Sequence, residues 1–433
     1  MRFAKMKIAL LVCVAMSTLL TACGGASSTS SSDKPTVTFM TWESNNTNVA
    51  IDSALAKMND SSLTIKRLPT PSTDFDQKIT SLTTAKSLPD FFWCGNDTEQ
   101  ALGAQGVLFD WSSYISKTTA DFDQKNFAPE AVKNWYSADG SKLYGLPTLM
   151  NTYGYFYNAD LFTAANVPLP KAGWTYDDMF AAAKTLTKTD GSQPAAVGGP
   201  YTDPFLISNY ALSAGGSSFT DRVVSPTKVT TDAKFVEGTQ KFVDGLKAGY
   251  FTAPNANTGT DTAAAFLTGK VPMLWGGQWL AASFMTANPS FKIGFAPLPI
   301  VSKQVHIYDA VGVCSPSYIK NPDAVWKVIT YLDTKGWNDI LPSAPVAPAA
   351  YVPASNAYYD TLKAKNLGSV ADSVAYALNA PQKDAVRFIA PWSTKANDVI
   401  TANWNDILMG KKPVQSTLNT MTQQINDVIK QNS

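Results

Sequence analysis

Residues 142–162, KLYGLPTLMNTYGYFYNADLF, decide how this chain is organised. Tyr144-Gly145-Leu146-Pro147 reads as a turn, because glycine permits unusual backbone angles and proline stops a helix. Residues 152–157 read as a strand, rich in β-branched and aromatic side chains. Asn158-Ala159-Asp160 then caps a short helix. Asn151 stands between turn and strand, with Tyr153 and Tyr155 just beyond. The stretch reads as a crossing between two lobes. Taken alone it reads equally well as one more buried strand of an ordinary core, and its surroundings decide for the crossing.

Before it, strands and amphipathic helices alternate. Residues 36–41 are a strand ending at Trp42-Glu43, and Ile51, Leu55 and Met58 mark a helix face. Residues 63–66 and 90–93 are the next strands, the latter followed by a loop, Cys94-Gly95-Asn96-Asp97. This alternation predicts α/β lobes on largely parallel sheets. Ligands of such sheets sit at the carboxyl ends of the strands, so Trp42, Glu43, Asn96 and Asp97 fall on one rim. After the crossing, Thr175 caps a helix with Asp178 three residues on, and Thr231 caps another. The loop 198–204 carries Tyr201. Val271 opens a strand whose following Gly276-Gly277 turn presents Trp279. Residues 306–313 cross back, residues 343–353 are a Pro/Ala-rich surface loop, and Pro391-Trp392 opens a long helix.

A chain of 433 residues exceeds one typical core, which favours two lobes. Its 45% hydrophobic and 16% charged content is that of a globular protein. The net charge is +1, and no basic cluster points to nucleic acid. Arg2, Lys5 and Lys7 precede an apolar run, residues 8–20, too short to span a bilayer comfortably. Leu20-Thr21-Ala22-Cys23-Gly24 resembles a bacterial lipobox, which implies a signal peptide over 1–22 and lipid on Cys23. Residues 24–34 then form a flexible tether of about 18 Å. The expected body is extracytoplasmic and held to the cell membrane by Cys23. Of the other cysteines Cys13 leaves with the signal, and Cys94 and Cys314 remain. The compartment permits a bond between them, but two cysteines are thin grounds for one and spacing does not show geometry.

Several pieces, in order, carry a family resemblance: Leu88-Pro89-Asp90; Tyr144-Gly145-Leu146-Pro147 with Tyr157-Asn158-Ala159-Asp160; Trp174-Thr175-Tyr176-Asp177-Asp178; Gly269-Lys270-Val271-Pro272-Met273 with Gly277-Gln278-Trp279; and the Pro391-Trp392 helix. Together they resemble the solute-binding proteins of carbohydrate ABC importers, the maltose-binding-protein class. The resemblance implies a two-lobed periplasmic-binding-protein fold of type II, closing like a hinge on a sugar. It puts residues 35–149 and 310–370 in the first lobe, and 150–309 and 371–433 in the second. It implies a sugar-binding acid at Asp97 and stacking indoles at Trp279 and Trp392. The family carries a carboxylate at the position of Asn151 and a stacking Trp near Cys94. Both departures point to a different sugar, with Trp42 or Trp93 as the compensating ring. The implied partners are a neutral mono- or oligosaccharide and the importer's transmembrane subunits, with the receptor a monomer and no cofactor or metal.

The chemistry of the residues agrees. A sugar has an apolar face and a rim of hydroxyls, matched by flat rings edged with Asp, Asn and Glu. The expected site is therefore Trp42, Glu43, Asn96, Asp97, Asn151, Tyr201, Trp279 and Trp392. A glycosidase would use two carboxylates such as Glu43 and Asp97, but no catalytic motif surrounds them. His306 is the only histidine, read as structural, and there is no G-x-S-x-G, which leaves little for a Ser-His-Asp hydrolase or a histidine zinc site. No phosphate-cradling loop marks an ATPase. An adhesin-type surface lipoprotein remains the rival outside enzymes. Only Arg67, Arg222 and Arg387 follow residue 22, and that scarcity favours a neutral ligand over an anion held by an arginine fork.

Overall fold

A computed structural model describes residues 34–70, 74–128, 131–188, 193–252, 262–381 and 383–432. The expected signal peptide, Cys23 and nearly all of the tether lie outside the described residues. No helix among the described residues is long and apolar enough to cross a membrane. The strands are β1 (Thr36–Met40), β2 (Thr64–Arg67), β3 (Phe91–Gly95), β4 (Gly145–Asn151), β5 (Tyr153–Asn158), β6 (Ala196–Val197), β7 (Met273–Gly277), β8 (Ile293–Pro297), β9 (His306–Cys314) and β10 (Lys383–Ala385). They form two sheets. The first runs β10-β9-β3-β1-β2, with β4 also on β9; the second runs β6-β7-β5-β8.

The chain passes from β4 in the first sheet into β5 in the second with Thr152 alone between them. β9 lies beside β4 and pairs Asp309 with Asn151. The crossing expected around Asn151 is therefore present. The sheets are less parallel than the alternation suggested. β1, β2 and β3 are parallel, but β9 runs antiparallel to β3, and β5 runs antiparallel to both β7 and β8. The physical reason is the crossing itself: a strand arriving from the other sheet runs against the strands of the sheet it enters.

Gly145-Leu146-Pro147 is strand, not turn. Gly145 and Gly312 both lie under the indole of Trp135, where an added Cβ would collide with the ring. Glycine here serves close approach rather than bending. Pro147 is tolerated because the β4–β9 register shifts between Pro147 and Leu149. Most of the stretch 343–353 is also not surface: residues 344–351 are buried, and the segment bonds to β4 through Met150 N–H to Pro348 O and Ala350 N–H to Thr148 O. Small side chains there let a third segment lie against β4. Cys94 and Gly95 belong to β3, while Asn96 and Asp97 open the helix Asn96–Ala104. Asp232 rather than Thr231 caps the helix Ala233–Lys247. The capping box of Thr175 and Asp178 forms as expected.

β5 is buried on both faces by alternation. Tyr155 and Tyr157 join the core of the second sheet, while Phe156 packs on Phe284 and Phe295. Cys94 and Cys314 are joined in a disulfide across neighbouring strands β3 and β9. Closing a loop of 220 residues stabilises the fold by about 5 kcal/mol in the chain-entropy account.

Beneath β4, Asp333 sits in a single π-helical turn, Leu332–Gly336, and is 1% exposed. Thr148 Oγ1 donates to Asp333 Oδ1 (2.6 Å), and Trp337 Nε1 donates to Thr148 Oγ1 (2.8 Å). Asp333 Oδ2 is buried without a partner. Burial pushes this carboxyl up to about 8, only partly offset by the Thr148 bond. Burial likewise raises Glu43 to about 7, and Asp203 and Asp384 to about 6. Each group holds a proton in the fold that the unfolded chain releases above about pH 4. Their contribution is whole below that pH and is lost as pH rises through the folded values. The unfolding temperature should therefore fall from pH 5 to pH 8, and Asp333→Asn should flatten that fall. A midpoint that rises over this range, or a variant that falls as steeply, contradicts the assignment.

Candidate functional site

Two adjoining chambers lie between the sheets where β4 gives way to β5. The first, about 460 Å³, is lined by Trp42, Glu43 and Thr47 on the first-sheet rim, by Asn151, Tyr153 and Asp309 on the crossing strands, and by Trp279, Ser283, Val346 and Arg387. The second, about 440 Å³, shares Trp42 and runs between Trp93, Cys94 and Asp97 on one wall and Ser393, Thr394 and Asn397 on the other.

The local sequence explains how the rings are held. Ser44 caps the helix Asn45–Ala56 by accepting from Thr47 N–H. Thr41 Oγ1 donates to Asn48 Oδ1 (2.5 Å), and Asn48 Nδ2 donates to the Glu43 carbonyl (2.7 Å). These bonds fix the turn that carries Trp42 and Glu43. Trp42 meets Phe75 edge-on at 5.2 Å. Trp279 starts the helix Leu280–Ala287. The two glycines before it are the end of β7, not a turn, and Gly277 matters because its missing Cβ leaves the space that the Trp279 ring occupies. Tyr153 meets Trp279 edge-on at 5.5 Å and stacks on Trp275 at 5.8 Å.

Charge in the first chamber is nearly cancelled. Arg387 Nη2 donates to Asp309 Oδ1 (3.0 Å), and Arg387 Nη1 donates to Asp97 Oδ1 (3.4 Å). Tyr153 Oη donates to the other oxygen of Asp309 (3.0 Å). Burial works against the guanidinium charge, but Asp309 and Asp97 outweigh it and hold its pKa above the ordinary arginine value. Burial, and then Asp309, raises the Tyr153 phenol. Glu43 Oε1 accepts from Trp93 Nε1 (3.1 Å), which only partly offsets the burial that lifts it to about 7. Among the described residues no cluster of three or more His, Cys, Asp or Glu is arranged to hold a metal.

The structure brings Trp42, Glu43, Asn151 and Trp279 together in the first chamber and places Asp97 in the second. It does not bring the other three. Asn96 is buried, its Nδ2 donating to Asn134 O (3.2 Å). Tyr201 is wholly buried among Phe242 and Phe251, and its Oη donates to Thr252 O (2.6 Å). Trp392 is 6% exposed and packs on Phe388 at 5.1 Å; the residues after it, not its indole, reach the second chamber. A turn-and-rim reading overcounts rings of this kind, because a Tyr or Trp beside a loop serves core packing equally well. Sequence reasoning missed Tyr153, Asp309, Arg387 and Gln278. Asp309 had a signal, a lone acid inside the strand HIYDAVGVC. Arg387 had its rarity.

The family described as bacterial extracellular solute-binding protein matches residues 60–339, more than half of the chain. The chain is 24% identical over 355 residues to the maltodextrin-binding protein MdxE of Bacillus subtilis, covering 80% of this chain and 79% of that one. Its fold resembles that of the ABC substrate-binding protein Lmo0181 of Listeria monocytogenes, solved in complex with cycloalternan (TM-score 0.77, 20% identity, 92% of this chain and 100% of that one). It also resembles the cyclic α-maltosyl-1,6-maltose binding protein of Arthrobacter globiformis (TM-score 0.70, 20% identity, 92% and 100%). All three are named as binding proteins. With its two sheets joined by crossing strands around a chamber, this chain belongs to the bacterial extracellular solute-binding proteins.

Proposed function

We propose that the chain is a receptor that takes a neutral sugar, in particular an oligosaccharide, into the two chambers and hands it to the membrane subunits of an ABC importer. The observation that carries this reading is that Trp42 and Trp279 line one chamber together with Glu43, Asn151 and Asp309. Flat rings meet the apolar sugar face and the polar groups meet its hydroxyls. Arg387 supports a neutral ligand, because two carboxylates already occupy its forks. The names of the relatives, maltodextrin-binding among them, point to the same ligand class. The two sheets with their helices serve as lobes, bounded near residues 149–150, 309–310 and 370–371, and the sugar draws them together.

The body works beside the membrane, tethered by lipid on Cys23. Cys23→Ser should move the protein from the membrane fraction to the soluble fraction, and unchanged membrane retention contradicts the anchor. Calorimetry against maltotriose and other neutral oligosaccharides tests the site. Stacking on a desolvated indole is worth about 1.5–3 kcal/mol, so Trp279→Ala should weaken binding roughly ten- to more than a hundredfold. Its unfolding curve without sugar should stay near normal. A variant that binds normally but loses about 3–5 kcal/mol of stability makes Trp279 a core residue and misplaces the site. Sugar turnover by the unmodified chain overturns the receptor reading.

A further inference from the structure

Gln278 precedes Trp279 and is wholly buried at the crossing. Its Oε1 accepts from the backbone N–H of Thr152 (2.7 Å). Its Nε2 donates to Asn151 Oδ1 (3.0 Å) and reaches the backbone carbonyl of Val346 (3.4 Å). Gln278 N–H in turn donates to Thr152 O (3.3 Å).

Side-chain amides are hard to orient, because their oxygen and nitrogen look alike, and the partners must settle which is which. Here two partners are unambiguous. A backbone N–H only donates and a backbone carbonyl only accepts. Thr152 N–H therefore demands the oxygen of Gln278, and Val346 O demands its nitrogen. With Gln278 fixed, the Asn151 atom that faces it is the oxygen. The Asn151 Nδ2 group is then left over, on a residue that lines the first chamber. It has no protein partner among the described residues.

We infer that Asn151 is a specificity-determining residue held as a pure hydrogen-bond donor toward the ligand, and that Gln278 is the positioning residue that fixes this polarity. The relay runs from the backbone at the crossing, through Gln278, to the two N–H bonds of Asn151. A ligand must present an accepting oxygen at this point: a hydroxyl turned to accept, a ring oxygen or a glycosidic oxygen. The relay also ties the crossing to the ring platform, since Gln278 and Trp279 are adjacent, and Thr152 and Asn151 are where the chain changes sheets. Rotation at Thr152 would move the donor relative to the indole, because Asn151 ends a strand of the first sheet and Trp279 follows a strand of the second. The ligand class rests on the sugar reading given above; the amide geometry does not.

Side-chain amide exchange in the full chain labelled with 15N tests this. The two signals are assigned by their loss in Asn151→Asp and Gln278→Glu. Without sugar, the Gln278 amide protons should exchange at least about tenfold more slowly than those of Asn151, since only the former are bonded inside the protein. Saturating maltotriose should then slow the Asn151 protons by a similar factor. In Gln278→Glu no N–H remains to meet Asn151 Oδ1, so the Asn151 amide should turn, become protected without sugar, and bind maltotriose about 10- to 100-fold more weakly. Gln278→Met, which adds no charge, should leave Asn151 unprotected and cost less than the Glu variant. Equal exchange of both amides in the sugar-free protein overturns the relay. So does a folded Gln278→Glu variant with wild-type affinity and an unchanged Asn151 signal. Failure of maltotriose to bind the unmodified chain counts against the sugar reading alone, because the sugar-free exchange pattern decides the relay.

Discussion

Thr152 is the only residue between two strands that belong to different sheets. On one side β4 is bonded along its length to β9; on the other β5 is bonded to both β7 and β8. Neither strand can bend without breaking ladder bonds. Any change in the angle between the sheets must therefore be taken up at Thr152 and the few residues where β9 and the C-terminal segment also cross. That constraint places the chamber. At the ends of the crossing strands residues from both sheets line the same chamber. Asn151, Tyr153 and Asp309 stand there because they are the last or first residues of their strands, or the partner across the ladder.

The electrostatics follow from the same placement. Arg387 comes from the segment that leads back into the second-sheet core through Phe388, Asp309 from a crossing strand, and Asp97 from a helix of the first sheet. One guanidinium thus bonds two carboxylates drawn from different parts of the fold. Such a bridge is costly to desolvate, which offsets much of its Coulomb gain. It cancels charge where a neutral ligand would lie. Glu43 gives the chamber a further carboxyl, poised near neutral pH by burial and steadied by Trp93.

Much of this was legible in the sequence because it depends on local patterns. The alternation of strands and helices, the crossing near Asn151 and the capping box at Thr175 all follow from period and caps. What was not legible depends on distant partners. Gly145 and Gly277 look like turn glycines and are in fact spaces for the rings of Trp135 and Trp279. Residues 343–353 read as a Pro/Ala-rich surface loop, yet their middle is buried against β4, because small residues suit close approach as well as exposure. Tyr201 and Trp392 sit beside loops, but their rings fill the second core. The Cys94–Cys314 bond spans 220 residues, and no spacing rule reports a contact across that distance. Arg387 was counted as scarce and not placed, although it is the cation that completes the chamber.

The central claim is that the two sheets are lobes which close at the Asn151–Tyr153 crossing when a sugar enters between Trp42 and Trp279. Solution X-ray scattering of the chain with and without saturating maltotriose tests it most directly. The account predicts a smaller radius of gyration with sugar, and the same shrinkage lost in a variant that no longer binds. Identical profiles at a sugar concentration that calorimetry shows to be saturating would contradict a closing hinge.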